Sequence, residues 1–237
     1  MSVRWETIQV DNQPMRVYMG LPDGAAKRPA ILVAHHGAGV DGFVQDVVNR
    51  LFRADYVAAA PELFHRQPSD IKENLERIGM LRDDEIVADM SAAMAHLKTL
   101  KDPAPDAFGI VGFCMGGRVS YLMAAARTKD IKACCVFYGG NIMKVWGDPP
   151  TPFERTRDIT CPMIGFFGVE DTNPSPDDVA KISAELARHG KQHEFHSYNE
   201  AGHAFQNFLD AARYRSRPAR GSWTEMLAFF GQHLKNP

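Results

Sequence analysis

Short apolar runs alternate with segments of helical periodicity along most of this chain. The opening runs TIQV and MRVYMG predict a hairpin that turns around residues 11–13. The later predicted strands are AILVAHH (30–36), YVAAAPELF (56–64), AFGIVGF (107–113), KACCVFYGG (132–140), CPMIGFFGVED (161–171) and HEFHSYN (193–199). The predicted helices span residues 42–54, 83–100, 116–127, 176–189 and 223–234. Apolar strands separated by helices predict a mostly parallel central sheet flanked by helices on both faces.

The composition supports this α/β fold and narrows the range of partners. The 237 residues are 45% hydrophobic and 24% charged, which fits one globular domain over residues 1–237. Twenty-seven basic residues against 29 acidic ones give a net charge of −2, so we expect no binding to nucleic acid or to anionic lipid. We expect a cytoplasmic location and no membrane association, because the chain lacks a signal-like start and any run of about 18 apolar residues.

Cysteines and histidines do not predict a disulfide framework or a metal centre. The four cysteines are too few and too unevenly spaced for such a framework. Cys134 and Cys135 are neighbours on a predicted strand, so we expect their thiols to pack on opposite faces of the sheet. His193 and His196 also fall on opposite faces of a predicted strand, and CxxC, HExxH and P-loop motifs do not occur. We therefore expect neither a metal nor another cofactor.

The stretch VGFCMGGR (111–118) is the strongest chemical signal in the sequence. A strand that runs into Gly-x-Cys-x-Gly and then into a helix is typical of a nucleophile elbow. Such a turn forces its central residue, here Cys114, into an unfavourable backbone conformation above the carboxyl edge of the sheet. Gly112 and Gly116 would let strand and helix approach, and the helix N-terminus would favour a thiolate.

A buried cysteine at an ordinary strand–helix turn would produce the same short motif. Two other positions favour the catalytic interpretation. Asp171 ends a predicted strand in FFGVEDTNPSP, and His203 lies in NEAGHAF after the last predicted strand. The order nucleophile, acid, histidine is the one expected of an α/β-hydrolase. We therefore predict a catalytic triad of Cys114, Asp171 and His203.

Together, VGFCMGGR, the strand end GVED and the loop EAGHAF resemble the dienelactone hydrolase family, with AAPELFHRQ as supporting similarity. These enzymes are cysteine-dependent members of the α/β-hydrolase fold, and the resemblance extends from about Pro29 to the C-terminal helix. It implies that Cys114 is the nucleophile, His203 the general base and acid, and Asp171 the residue that orients His203.

Two positions depart from the family pattern. The resemblance implies an acidic residue near the cysteine after the strand 30–34, where this chain has His36 in AHHGAGVD. It also implies arginines that hold a substrate carboxylate, one of them four residues beyond the catalytic histidine, where this chain has Asn207. Arg77 and Arg82 are candidates for the other arginine. These departures weaken the inference that the substrate is a muconate-pathway lactone, but they leave the inference of hydrolysis unchanged.

Backbone N–H groups beside the cysteine predict an oxyanion hole. Met115 follows the cysteine directly, and Gly37 lies in the His-Gly segment that supplies the second N–H in many esterases. His36 is either a pocket residue or part of the scaffold, whereas we interpret His35 as structural. Arg118 lies one helical turn beyond the cysteine, and we expect it to pair with an acid or a carbonyl beneath the site.

The segment NIMKVWGDPPTPFERTRDIT (141–160) has the length of a lid or a pocket wall. Trp146 and Phe153 either line an acyl pocket with it or pack the segment against the domain.

Three hypotheses about function remain open at this point. The first is a hydrolase that opens a small lactone or ester through an acyl-cysteine intermediate. The second is a general carboxylesterase or thioesterase acting on another small acyl substrate. The third, from another class, is a non-catalytic small-molecule binder or a thiol redox sensor on the same fold. The sequence leaves the natural substrate and the oligomeric state open.

Overall fold

A computed structural model describes residues 2–24, 27–101 and 105–235 of the chain. Its strands are β1 (Ser2–Val10), β2 (Gln13–Leu21), β3 (Arg28–Ala34), β4 (Val57–Pro61), β5 (Pro105–Phe113), β6 (Ile131–Phe137), β7 (Met163–Gly168) and β8 (His193–Tyr198). Its α-helices are α1 (Gly42–Arg53), α2 (Asn74–Gly79), α3 (Asp83–Lys98), α4 (Met115–Ala126), α5 (Pro176–Arg188) and α6 (Ser216–Phe230). None of the helices in the described ranges is both long and apolar enough to span a bilayer.

The described strands form one sheet in the order β1-β2-β4-β3-β5-β6-β7-β8. Strands β3 to β8 pair in parallel, and β1 and β2 add an antiparallel hairpin at one edge. The hairpin turns at Asp11 and Asn12, whose φ angles of 49° and 63° suit a tight turn that follows the strand twist. The predicted mostly parallel sheet is confirmed.

Helices cover both faces of the sheet and enclose two apolar cores. Helices α3, α4 and α5 pack on one face, whereas α1 and α6 pack on the other. Cys134 lies in the first core and its neighbour Cys135 in the second, as strand alternation predicts. Both faces of the central strands are therefore buried, and functional groups are expected at the carboxyl edge of the parallel strands.

Several strands are shorter than predicted, and the largest differences from the sequence prediction are in two helices. Helix α6 begins at Ser216 rather than Trp223, because Pro218 falls in its first turn, where proline is tolerated. Helix α2 was not predicted, since its six residues include no buried side chain that could produce an apolar period. Its side chains nevertheless contribute to the cavity described below.

Candidate active site

Cys114 lies at the sharp turn between β5 and α4. Its backbone has φ 58° and ψ −120°, a strained conformation for a residue with a side chain. A Cβ on Gly112 would lie 1.8 Å from the carbonyl oxygen of Gly116, and a Cβ on Gly116 would lie 2.0 Å from that of Ala34. Only glycine at both positions allows this close packing of strand and helix, so the structure has the geometry of a nucleophile elbow.

The surroundings of the Cys114 thiol favour its ionised form. Burial by itself raises the pKa of this thiol, but interactions with His203 and with the backbone N–H groups of Met115 and Gly37 outweigh burial and lower it. The two N–H groups predicted from sequence to form an oxyanion hole are therefore among the groups that favour the ionised thiol. A group of this kind can act as a nucleophile near neutral pH.

His203 lies between Cys114 and Asp171. Its Nδ1 is 2.8 Å from Oδ2 of Asp171, and its side chain is 28% exposed whereas that carboxylate is 2% exposed. Burial by itself lowers the pKa of His203, but hydrogen bonds to Asp171 and Cys114 raise it to about 10. The backbone N–H of Asn173 donates to the other oxygen of Asp171 at 2.8 Å, which fixes the carboxylate. The structure thus brings the three predicted residues together, with the His203 ring between the Cys114 thiol and the Asp171 carboxyl group.

A cavity of about 460 Å³ opens above Cys114. His36, Gly37, Trp146 and Asn207 line it, as proposed from the sequence. Phe153 does not line the cavity: it packs against the apolar core, and its backbone N–H donates to the carbonyl of Ile142. Of the two aromatic residues considered in segment 141–160, Trp146 is therefore the one that contributes to the wall.

His36 and His35 have different surroundings. His35 is fully buried; its Nδ1 donates to the carbonyl of His36 at 2.6 Å, and its Nε2 accepts from the N–H of Leu63 at 3.0 Å. Burial lowers the pKa of His35 to about 4, so it is a neutral structural residue, as expected. His36 faces the cavity, and its Nε2 lies 3.0 Å from Oδ1 of Asp41, the N-cap of α1.

Backbone strain is concentrated around this cavity. Cys114, Tyr138, Asn141 and Ala204 are non-glycine residues with φ between 38° and 64°, and all four line it. Tyr138 also packs edge-on against the His203 ring, with centroids 5.2 Å apart. Sequence reasoning missed Tyr138, because nothing in VFYGG distinguishes a pocket tyrosine from a core tyrosine.

Arg118 is completely buried one helical turn beyond Cys114, as part of a pair with Asp83. Its guanidinium binds both oxygens of Asp83, donates to the carbonyls of Asn141 and Lys144 at 3.0 and 2.8 Å, and stacks on the ring of Trp146. The expected pairing of Arg118 with an acid and with carbonyls is confirmed.

The other arginines considered from the sequence lie elsewhere. Arg77 stacks on Phe64, and Arg82 pairs with Asp148; neither lines the cavity. Arg213, which the sequence did not single out, does line it. Within the described ranges, no three His, Cys, Asp or Glu side chains are grouped to hold a metal. A second cavity of about 530 Å³, between β7, β8 and α6, contains no cysteine among its lining residues.

Comparison with known proteins agrees with this geometry. The family model described as the dienelactone hydrolase family matches residues 15–234. The chain belongs to this family. Its members' fold is seen in a solved Klebsiella pneumoniae structure, provisionally described as a dienelactone hydrolase, which is 28% identical with a TM-score of 0.89 over 98% of each chain. The α/β-hydrolase fold and the hydrolase class predicted from the sequence are thereby confirmed.

Curated dienelactone hydrolase relatives span the same length as this chain. A Synechocystis sp. protein with the provisional name carboxymethylenebutenolidase is 30% identical and covers 99% of both chains. A Bradyrhizobium sp. protein, provisionally named a 2-oxo-3-(5-oxofuran-2-ylidene)propanoate lactonase, is 29% identical over 98% of this chain and 95% of its own. Membership of the dienelactone hydrolase family indicates an enzyme that hydrolyses ester or lactone bonds.

Proposed function

We propose that this protein hydrolyses a small lactone or ester through an acyl-cysteine intermediate. The main support is the strained turn that presents Cys114 at the cavity, next to a His203 ring whose Nδ1 lies 2.8 Å from Asp171, together with the lowered pKa of the thiol. Sγ attacks the carbonyl carbon, and the oxyanion that forms beside it accepts hydrogen bonds from the N–H groups of Met115 and Gly37.

His203 then transfers its proton to the leaving oxygen as the carbon–oxygen bond breaks, which leaves an acyl-cysteine and neutral imidazole. In a second step, the imidazole takes a proton from water, and the resulting hydroxide attacks the acyl carbon. Cleavage of the carbon–sulfur bond releases the acid product and restores the thiolate. Asp171 stabilises the imidazolium in both steps through its 2.8 Å contact with Nδ1.

Mass spectrometry of the intact protein tests the covalent step. A brief exposure to an activated aryl ester should add the mass of the acyl group to the wild-type chain and not to Cys114→Ala. In His203→Ala the adduct, once formed with excess reagent, should persist, because water is no longer activated. Turnover by Cys114→Ala at the wild-type rate would refute the proposal.

The same experiment separates an enzyme from a redox sensor or a passive binder. A sensor needs a reactive thiol but no histidine-dependent loss of the acyl group. Comparison of kcat/KM for a cyclic dienelactone, a simple aryl ester and a thioester would then distinguish a lactonase from a general carboxylesterase or thioesterase.

A further inference from the structure

The positive charge nearest in sequence to Cys114 is unavailable to a ligand. Arg118 is 0% exposed, and both oxygens of Asp83 and two backbone carbonyls occupy its donors. The Trp146 ring covers the guanidinium, whose Cζ lies 3.9 Å from the ring centroid. The N–H of Asp83 also donates to the Trp146 carbonyl at 3.0 Å, so backbone and ring are held together. The Trp146 indole, and not the Arg118 guanidinium, therefore forms this wall of the cavity.

Further apolar side chains line the cavity beside Trp146, among uncharged polar ones such as Asn74 and Asn207. Leu75 and Ile78 of α2 and Met115 of α4 contribute side chains to it. The apolar surface continues outward at Leu75, which lines the cavity and is 83% exposed.

Charged groups at the cavity are either part of the hydrolytic machinery or already paired. Asp171 and His203 contact each other, and His36 lies beside Asp41. Among the described residues that line the cavity, Arg213 is the one arginine or lysine. Its side chain is 61% exposed, and its Nε lies 3.5 Å from Oδ2 of Asp210. An acyl group with a free carboxylate would therefore lose water in the cavity without gaining a buried, unpaired cation.

We propose that the site selects an uncharged, apolar acyl group that packs on Trp146, and that Arg118 and Asp83 are positioning residues for this wall. The inference rests on the proposed function, because it concerns which ester reaches Cys114. It places the substrate among neutral esters or lactones with a hydrocarbon acyl part.

A matched pair of substrates tests the charge preference. The p-nitrophenyl esters of hexanoic acid and of adipic acid have acyl chains of equal length and differ by a terminal carboxylate. We expect kcat/KM to be higher for the hexanoate ester by roughly 100-fold, the discrimination that an apolar pocket achieves against a polar isostere. Equal rates, or a preference for the adipate monoester that is lost in Arg213→Gln, would overturn the inference.

Variants of the wall test the role of Trp146. In Trp146→Ala, the ratio of kcat/KM for the hexanoate ester to that for the acetate ester should fall on the order of tenfold, and Trp146→Phe should restore most of it. Trp223→Phe is the matched control, since Trp223 stacks on Arg50 in the same manner, with 3.5 Å from Cζ to the ring, away from this cavity. An unchanged ratio in Trp146→Ala would overturn the assignment of this wall.

Asp83→Asn keeps the shape of the side chain and removes the charge that holds Arg118. We expect a raised KM for the hexanoate ester with a smaller change in kcat, as for a residue that positions the wall and does not touch the reacting atoms. A change in kcat alone would contradict that role. Acylation of Cys114 is measured separately by mass spectrometry. If no ester acylates Cys114, the proposed function is refuted. If Cys114 is acylated but the adipate monoester is the preferred substrate, only this inference is refuted.

Discussion

The cavity has a floor, which consists of Cys114, Asp171 and His203, and walls that are built in a different way. Cys114 directly follows strand β5 and Asp171 lies three residues beyond the end of β7, and the backbone N–H of each donates to a carbonyl at the end of a strand. The walls come from the short helix α2, which buries none of its side chains, and from the irregular segment 141–160. The floor is fixed by the sheet itself, whereas the walls depend on side-chain contacts between distant segments. Chemistry and substrate selection should therefore respond separately to mutation.

Removal of the proposed nucleophile should have the largest effect. In Cys114→Ala, we expect kcat/KM to fall by roughly 10⁴-fold or more for every ester, with little change in Tm, because the thiol is only partly buried and the substitution removes a single heavy atom. Hydrolysis rates and circular-dichroism melting curves measure both quantities. Cys114→Ser should retain little activity, since a hydroxyl is the weaker nucleophile at this site. A fall in kcat/KM that varied widely between esters would show that the floor of the cavity also contributes to substrate selection.

Asp171→Asn should impair all substrates equally, but less than loss of Cys114. Wild-type kcat/KM should rise with pH as Cys114 ionises, at a pKa below that of an ordinary thiol, and fall as His203 loses its proton near pH 10. Asp171 raises the pKa of His203, so its replacement should move this alkaline limb to lower pH. A pH–rate profile measures the shift. An alkaline limb that stays in place would contradict the role of Asp171.

Arg118→Met should affect stability more than it affects the chemistry. Removal of one partner from a buried ion pair costs about 3–5 kcal/mol, because the charge of Asp83 is left unpaired. Urea denaturation would measure the loss. Arg82→Met is the control, since Arg82 pairs with Asp148 on the exposed surface and should leave Tm nearly unchanged. Equal free energies of unfolding for the two variants would show that the buried Arg118–Asp83 pair does not contribute more to stability than an exposed pair.

His36→Ala should have the smallest effect on turnover. His36 lies at the cavity beside Asp41, and in the proposed mechanism His203 activates Cys114, so we expect activity within roughly tenfold of wild type. His36→Glu should move the acid limb of the pH profile to higher pH, because a nearby negative charge disfavours the thiolate. A loss of turnover in His36→Ala comparable to that in His203→Ala would show that His36 takes part in catalysis.

The floor could be predicted from the sequence because each of its parts has a local requirement. The turn at Cys114 needs Gly112 and Gly116, whose hydrogens face backbone atoms with no room for a methyl group. The order of strand ends then indicates Asp171 and His203. The catalytic role of the three residues stays a prediction, whereas the mostly parallel sheet and the family are confirmed.

The walls could not be predicted in the same way. Helix α2 has no buried face, so its Leu75 and Ile78 carry no periodic signal. Trp146 and Phe153 belong to the same irregular segment, and only tertiary contacts place one at the cavity and the other against the core. Arg213 lies ten residues beyond His203 in an exposed turn, where spacing gives no indication of its position.

Cys114 and Arg118 are carried by one end of the same helix. Four residues along α4 correspond to an axial offset of about 6 Å. When α4 shifts as a body against the sheet, the sulfur and the anchor of the Trp146 ring are displaced by the same vector. The spacing between the sulfur and the guanidinium that supports the Trp146 ring is therefore set within a single turn of α4.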